Sequence, residues 1–112
     1  MGPFTAGQIV ILPFPFSDLS HSKFRPALLL ADAGRGDWIA CQITSNPFAD
    51  PRAVEITNGD FATGGLQRVS YVRPGKLFTA HQDLFANSAG TLRSERLAAV
   101  QDAVSRLVTG RS

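Results

Sequence analysis

One arginine stands where a polar segment of the chain meets an apolar one. Arg25 follows a polar, turn-rich stretch at residues 17–23 and lies between two apolar runs at residues 9–12 and 27–30. Pro26 restricts the backbone of Arg25 to an extended conformation. Its guanidinium is therefore presented as a rigid fork of donors, a geometry that suits phosphate.

Two other residues could contribute proton transfer and hydrogen bonding. His21, in the same polar stretch, is the one nearby side chain whose ordinary pKa suits proton transfer at neutral pH. Thr44 ends a predicted strand beside Ser45 and Asn46. Its hydroxyl can bond a hydroxyl or a phosphate oxygen, but it cannot be a general base alone. Both residues have a structural alternative, as an exposed loop histidine and an ordinary strand threonine.

The composition describes one small domain without membrane or metal signals. A chain of 112 residues has room for a single core, and no apolar run approaches the roughly 18 residues of a bilayer span. Two histidines and the single Cys41 offer no metal-ligand cluster. Residues 1–8 lack a signal-peptide pattern, which predicts a cytoplasmic protein. Nine of the 11 cations are arginines, a bias that favours an anionic partner.

The apolar pattern predicts several short strands and a single helix. Residues 27–32 and 38–44 should form a hairpin, with residues 39, 41 and 43 on one face and 38, 40, 42 and 44 on the other. Further strands are predicted at residues 54–56, 68–72 and 76–79, the last two bent at residues 74–75. Helical spacing from Leu97 to Leu107 or Val108 predicts a C-terminal helix, with Ser94 as N-cap and Gly110 as its stop. The whole chain, residues 1–112, therefore reads as one mostly β domain, a small antiparallel SH3-like barrel with a C-terminal α-helix.

Three segments resemble the MazF/PemK toxins of type II toxin–antitoxin systems. They are GQIVILPFPFSDL, KFRPALLL and the strand end ITSN. The resemblance spans most of the chain and implies a CcdB/MazF-type barrel that forms a homodimer and is held by a cognate antitoxin. It also implies metal-independent, sequence-specific cleavage of single-stranded RNA, in which the 2′-hydroxyl attacks to leave 2′,3′-cyclic phosphate and 5′-hydroxyl ends. Carried over by motif, Arg25 and Thr44 are the catalytic residues, and no cofactor is expected.

One motif of the family is altered. Many relatives carry a D-Q-x-R-T pattern late in the barrel, some with an arginine two positions before the aspartate. Arg73 is kept here, but the acid is replaced by Gly75 and the second arginine by Phe78. A mechanism in this chain must therefore do without that carboxylate.

The chemistry of RNA cleavage assigns the remaining candidates. Arg25 stabilises charge on the phosphoryl oxygens, Thr44 bonds the 2′-hydroxyl or a phosphate oxygen, and His21 is a further candidate for proton transfer. RNA contacts are predicted for Phe16, Ser20, Lys23, Ser45, Asn46, Arg68 and Arg73. Aromatic residues such as Phe14 and Phe16 have the alternative of core or dimer packing.

Two other functions remain open at this point. One is a non-catalytic CcdB-like toxin that binds gyrase, although the polar tail at residues 109–112 lacks an apolar anchor. The other is an SH3-like binding module in which Arg25 contributes affinity only. The antitoxin is expected to be acidic and partly disordered, and to order as it covers Arg25.

Overall fold

The computed structural model describes residues 4–15, 22–47 and 49–111, and within them a sheet of seven strands and one long helix. The strands are β1 (Gln8–Pro15), β2 (Ser22–Gly34), β3 (Asp37–Thr44), β4 (Val54–Ile56), β5 (Phe61–Gly64), β6 (Ser70–His81) and β7 (Asn87–Leu92). The helix is α1 (Ser94–Thr109), and short 3-10 turns cover Asn58–Asp60 and Gln82–Leu84. None of these helices has the length and apolarity that crossing a bilayer demands.

The order of the strands forces the sheet to curl. Neighbouring strands are antiparallel and follow the order β4-β6-β3-β2-β1-β7-β5, so β4 and β5 form opposite edges. A flat sheet of this width would separate its edges by about 29 Å. The chain from Ile56 to Phe61 reaches at most about 18 Å, so the two edges must approach each other. The predicted mostly β, small antiparallel barrel with a C-terminal helix is confirmed.

Both faces of the central strands are buried. A first cluster lies inside the curl under α1 and includes Leu28, Cys41, Ile43, Val72 and Val100. A second cluster lies on the opposite face, and its members are Val10, Leu12, Ala27, Leu29, Trp38, Ala40 and Ala80. The predicted alternation along the hairpin is therefore present, although Ile39 at its outer end is 38% exposed.

The prediction for the late strands was wrong in two respects. Residues 70–81 form one continuous strand, whereas two strands bent at Pro74 were expected. The β3 register on β6 passes from Val72 directly to Leu77, so Pro74 lies where the ladder with β3 has no pair and its missing N–H costs no bond.

Strands β5 and β7 were also missed. A Cβ at Gly64 would collide with Ala89 O and one at Gly90 with Thr63 O, so tight backbone contact, rather than β-branched composition, defines this pair.

The helix begins one residue away from the predicted cap. Arg93 occupies the N-cap position and Ser94 is already helical, because Arg93 has the extended backbone and its carbonyl accepts the N–H of Leu97. Gly110 ends the helix as predicted, in the left-handed conformation with φ of 74°. Leu107 lines a cavity beside the sheet, whereas Val108 is 70% exposed, which resolves the choice between them.

Asp60 connects the segment between β4 and β5 to the start of α1. Its carboxylate accepts the N–H of Thr57 at 2.8 Å and pairs with Arg96 Nε at 3.3 Å. Asp60→Asn should therefore lower the free energy of unfolding by about 1–3 kcal/mol at neutral pH. Asp102→Asn, in the exposed pair with Arg106, should cost less than about 0.5 kcal/mol. Urea unfolding of both variants measures the contrast.

The effect of Asp60 should depend on pH. Its pKa lies below the ordinary 3.8, chiefly because the carboxylate accepts the Thr57 N–H, with Arg96 adding a smaller attraction. A lowered pKa stabilises the fold above the unfolded value, and this contribution is lost as pH falls through the folded value. The stability advantage of the wild type over Asp60→Asn should therefore be largest at pH values well above 3.8. A difference that stays constant into strong acid would contradict this assignment.

Candidate functional site

Arg25 and Thr44 lie on neighbouring strands and line one cavity. In the β2–β3 ladder Ala27 is opposite Gln42. Two residues further along each strand are Arg25 and Thr44, which places these side chains side by side on one face. Both line a cavity of about 300 Å³ at the strand ends, together with Pro26, Ile43, Ser45, Leu66, Gln67, Arg68 and Ser70.

The Thr44 hydroxyl organises the turn that follows β3. It donates to the carbonyl oxygen of Asn46 at 3.0 Å and accepts the Asn46 N–H at 3.1 Å. A hydroxyl has one donor and two acceptor positions. Thr44 can therefore accept one more bond as it stands, whereas donating to a phosphate oxygen requires release of the Asn46 carbonyl.

A row of polar side chains continues from this cavity across the outer face of the sheet. Thr44 is opposite Tyr71 in the β3–β6 ladder, and Gln42 and Arg73 lie two residues along their strands, on the same face. All of them are half-buried, as is Arg25. We call Arg25, Gln42, Thr44, Tyr71 and Arg73 the polar strip.

The alternation of β6 supports this assignment of faces. Ser70, Val72 and Pro74 are buried, whereas Tyr71 and Arg73 between them are half-buried. Tyr71 was not among the residues predicted from the sequence. Its position depends on the pairing of β6 with β3, and the only sequence signal for it was the alternation of residues 70–74.

Arg73 lies in a second cavity beside the first. Its Nε donates to Asp50 Oδ2 at 2.9 Å. This cavity, of about 430 Å³, is lined by Ala49, Asp50, Pro51, Arg52, Arg73, Gly75, Lys76 and Leu107, and we call it the basic cavity. Of the two arginines predicted to contact RNA from this part of the chain, Arg68 therefore lines the Arg25 cavity and Arg73 does not.

Asp50 supplies a carboxylate close to the position where the acid was missing from the sequence. Gly75 lines the basic cavity with Asp50, which comes from the loop after β3 instead of from β6. The side-chain bond from Arg73 lowers the pKa of Asp50, and the N–H of Arg52 adds to this. Asp50 therefore holds Arg73 as an ion pair, and its lowered pKa makes it a weak base.

The other predicted residues fall into three groups. Ser45 lines the Arg25 cavity, and Asn46 is exposed beside it. Lys23 is exposed on β2, opposite Phe14. The candidates Phe16, Ser20 and His21 lie outside the described residues.

Two ring side chains have structural roles in this arrangement. Phe14 packs edge-on against Phe78 with ring centroids 5.0 Å apart, beside the second cluster. His81 Nδ1 accepts the N–H of Asp83 at 3.1 Å and so caps the turn after β6. Among the described residues, no group of His, Cys, Asp and Glu is placed to hold a metal ion.

Comparison with known proteins gives a family and a fold. Residues 5–108 match the family described as PemK-like, MazF-like toxin of type II toxin–antitoxin system. Compared with curated protein sequences, the chain has no significant match.

Several solved structures share this fold. The MazE–MazF structure (Form-III) from Deinococcus radiodurans is 22% identical, with a TM-score of 0.69 and 96% of each chain covered. An endoribonuclease from Mycobacterial species is 18% identical, with a TM-score of 0.71 over 99% of this chain and 95% of that one. An endoribonuclease with its cognate antitoxin from Mycobacterial species is 19% identical, with a TM-score of 0.68 over 100% and 98%. At these identities the likeness establishes the fold.

The two arginines around Asp50 should affect its pKa unequally. Arg73→Gln removes the largest cause of the lowered pKa and should raise it towards 3.8. Arg52→Gln keeps the backbone N–H of residue 52 and should raise the pKa less. An NMR titration of the Asp50 carboxyl carbon in both variants measures this. An equal or larger rise in Arg52→Gln would show that the ion pair with Arg73 is not the main cause.

Proposed function

The chain belongs to the PemK-like, MazF-like toxins of type II toxin–antitoxin systems, and on that premise we propose that it is a metal-independent endoribonuclease acting on single-stranded RNA. The observation that carries this proposal is the shared cavity of Arg25, Thr44 and Arg68. A guanidinium, a hydroxyl and a second cation at one opening provide donors for a phosphodiester and its developing charge. The endoribonuclease structures from Mycobacterial species share the fold, which supports the proposal.

In the proposed reaction, the ribose 2′-oxygen attacks the adjacent phosphorus. A bond forms between the 2′-oxygen and phosphorus, and the bond from phosphorus to the 5′-oxygen breaks. The products are a 2′,3′-cyclic phosphate and a 5′-hydroxyl end. Two protons move: a base takes one from the 2′-hydroxyl, and an acid gives one to the leaving oxygen.

The residues around the cavity divide these tasks by their chemistry. Arg25 is permanently charged and stabilises the phosphoryl oxygens in the transition state. Thr44 has one acceptor position for the 2′-hydroxyl while it holds the turn at Asn46. His21 is proposed as the proton-transfer group, because Asp50 is held ionised in its pair with Arg73.

RNA contacts are proposed around this centre. Arg68 and Ser45 line the cavity, Asn46 and Lys23 are exposed beside it, and Arg73 lies at the far end of the polar strip. Phe16 and Ser20 are proposed as RNA contacts on the basis of the sequence alone. Since single strands are read through splayed bases and loop shapes, those of these residues that reach bases would also set the sequence that is cut.

A cognate antitoxin is the proposed protein partner. An endoribonuclease of the same fold from Mycobacterial species has been solved in complex with its cognate antitoxin. An acidic antitoxin segment over Arg25 and Arg68 would contact both cations and block the cavity. The cytoplasm, where RNA is available, is the proposed location.

Loss of Arg25 should slow cleavage strongly without unfolding the protein. Arg25→Ala should cut a mixed single-stranded RNA about 100–1,000-fold more slowly than wild type, because a fixed charge donor at the transition state is lost. The assay contains EDTA, and mass spectrometry of the fragments should show cyclic phosphate ends. Arg111→Ala, an exposed cation beyond the helix, should cleave like wild type.

The same experiment separates the competing functions. Wild type that leaves RNAs of varied sequence intact would contradict the enzyme. RNA binding without cleavage would indicate a binding module, and gyrase-dependent DNA breakage would indicate a CcdB-like toxin. Circular dichroism spectra of Arg25→Ala and wild type should coincide.

A homodimer is also proposed, because large apolar side chains remain exposed in the single chain. Phe24 is 66% exposed, Leu84 51% and Leu77 38%, and a two-fold interface would cover side chains of this kind. Size-exclusion chromatography with light scattering should give the mass of two chains. The mass of one chain at micromolar concentration would exclude the dimer.

A further inference from the structure

The basic cavity concentrates positive charge next to the polar strip. Arg52, Arg73 and Lys76 line it, and Asp50 is the one acidic residue among the described residues that do so. The balance of three cations and one carboxylate is positive. Arg52 and Arg73 both lie close enough to attract the Asp50 carboxylate, so the cations surround one small volume.

The cations in this cavity can still reach a ligand. Arg52 and Lys76 are exposed, and the Arg73 side chain is 26% exposed. The bond to Asp50 uses Nε of Arg73, and a guanidinium has further donors on both Nη atoms. A second anion can therefore be bound without breaking the ion pair.

The polar strip connects this cavity to the Arg25 cavity. Tyr71 is the direct partner of Thr44, and Arg73 lies two residues further along β6, about 7 Å away along the strand. Gln42 and Lys76 line a neighbouring groove on the same side. A strand with its scissile phosphate at Arg25 and Thr44 can therefore continue along the sheet into the basic cavity.

The chemistry of the lining favours a phosphate over a base. None of the described residues that line the basic cavity is aromatic, so this part of its lining offers no aromatic surface for stacking. Its two guanidinium groups and one ammonium group instead match a phosphodiester, which accepts charge-assisted hydrogen bonds from both kinds of group.

We infer that the basic cavity is a second phosphate site of the RNA strand, in which Arg52 and Lys76 join Arg73 in binding a phosphate away from the cleaved bond. This site deepens the proposed function and rests on it. It carries no sequence information, because it contacts the backbone alone. Its role is to align the strand on the sheet.

The salt dependence of RNA binding tests this site. Each phosphate contact on a single strand contributes about 0.7 to the slope of log K against log salt. Because both cations bind the same phosphate, the double variant Arg52→Gln/Lys76→Gln should flatten the slope by about this amount, and each single variant by less. The probe is a 2′-O-methyl RNA of mixed sequence, which cannot undergo attack by its own 2′-oxygen. Fluorescence anisotropy measures binding at several salt concentrations.

A matched control removes one charge at the other end of the sheet. Arg35 lies in the turn between β2 and β3 and lines a different cavity. Arg35→Gln should therefore leave the slope unchanged. In cleavage assays, Arg52→Gln/Lys76→Gln should raise KM and leave kcat close to wild type. The reason is that the phosphate contact is equally strong in the bound substrate and in the transition state.

The outcomes separate this site from the proposed enzyme. If wild type cleaves RNA and the slopes of the Arg52 and Lys76 variants match wild type, the second site is wrong while the enzyme stands. If wild type does not cleave but these variants flatten the slope, the site stands and the enzyme fails. If the variants lose binding of an acidic peptide such as poly-glutamate but keep the RNA slope, the cavity serves a protein partner and the inference is overturned.

Discussion

The register of β3 between β2 and β6 is the constraint on which the candidate site depends. Side chains alternate along a strand, so a slip of one residue would move Thr44 from the outer face to the buried one. The register is fixed because β3 is buried on both faces: Cys41 and Ile43 pack inside the curl, while Trp38 and Ala40 pack on the outside. No one-residue slip can satisfy both clusters. Apolar packing thus fixes the strand positions from which the polar strip projects.

The curl of the sheet adds a second, more distant constraint. The link at residues 57–60 brings the sheet edges together, and Asp60 fastens it to the start of α1 through Thr57 and Arg96. The helix then covers the inner cluster with Val100. Because β3 and β6 owe their inner packing to this cover, the helix supports the site without contributing a residue to the Arg25 cavity.

Sequence alone could identify what is local and could not identify what depends on long-range pairing. Arg25 and Thr44 were predicted from the resemblance to the toxin family, and the hairpin predicted for residues 27–32 and 38–44 is a local feature that the sequence pattern indicates. Tyr71 was missed because its place beside Thr44 depends on the register of β6, which pairs across a break between Val72 and Leu77. The Asp50–Arg73 pair was also missed, because the acid comes from a loop and lies 23 residues from its partner. Strands β5 and β7 escaped prediction since glycine contacts, not β-branched residues, define them.

The electrostatic arrangement explains how the chain can lack the acid at position 75. Asp50 occupies the same cavity as Gly75 and holds Arg73 in place, but its lowered pKa suits it to be a permanent anion and not a proton acceptor. The Asp50 carboxylate therefore holds Arg73 in position, and the proposed reaction leaves the proton transfers to other groups. Charge stabilisation by Arg25 is the part of the chemistry that the described residues can supply directly.

The central claim is that Arg25 and Thr44 act as one unit on one phosphate. A double-mutant cycle on RNA cleavage tests it most directly, with kcat/KM measured for wild type, Arg25→Ala, Thr44→Val and the double variant. Residues that act as a unit are strongly non-additive. The account predicts that the double variant is about as slow as the slower single variant, with unchanged circular dichroism spectra. Losses that multiply would show two independent contributions and would contradict it.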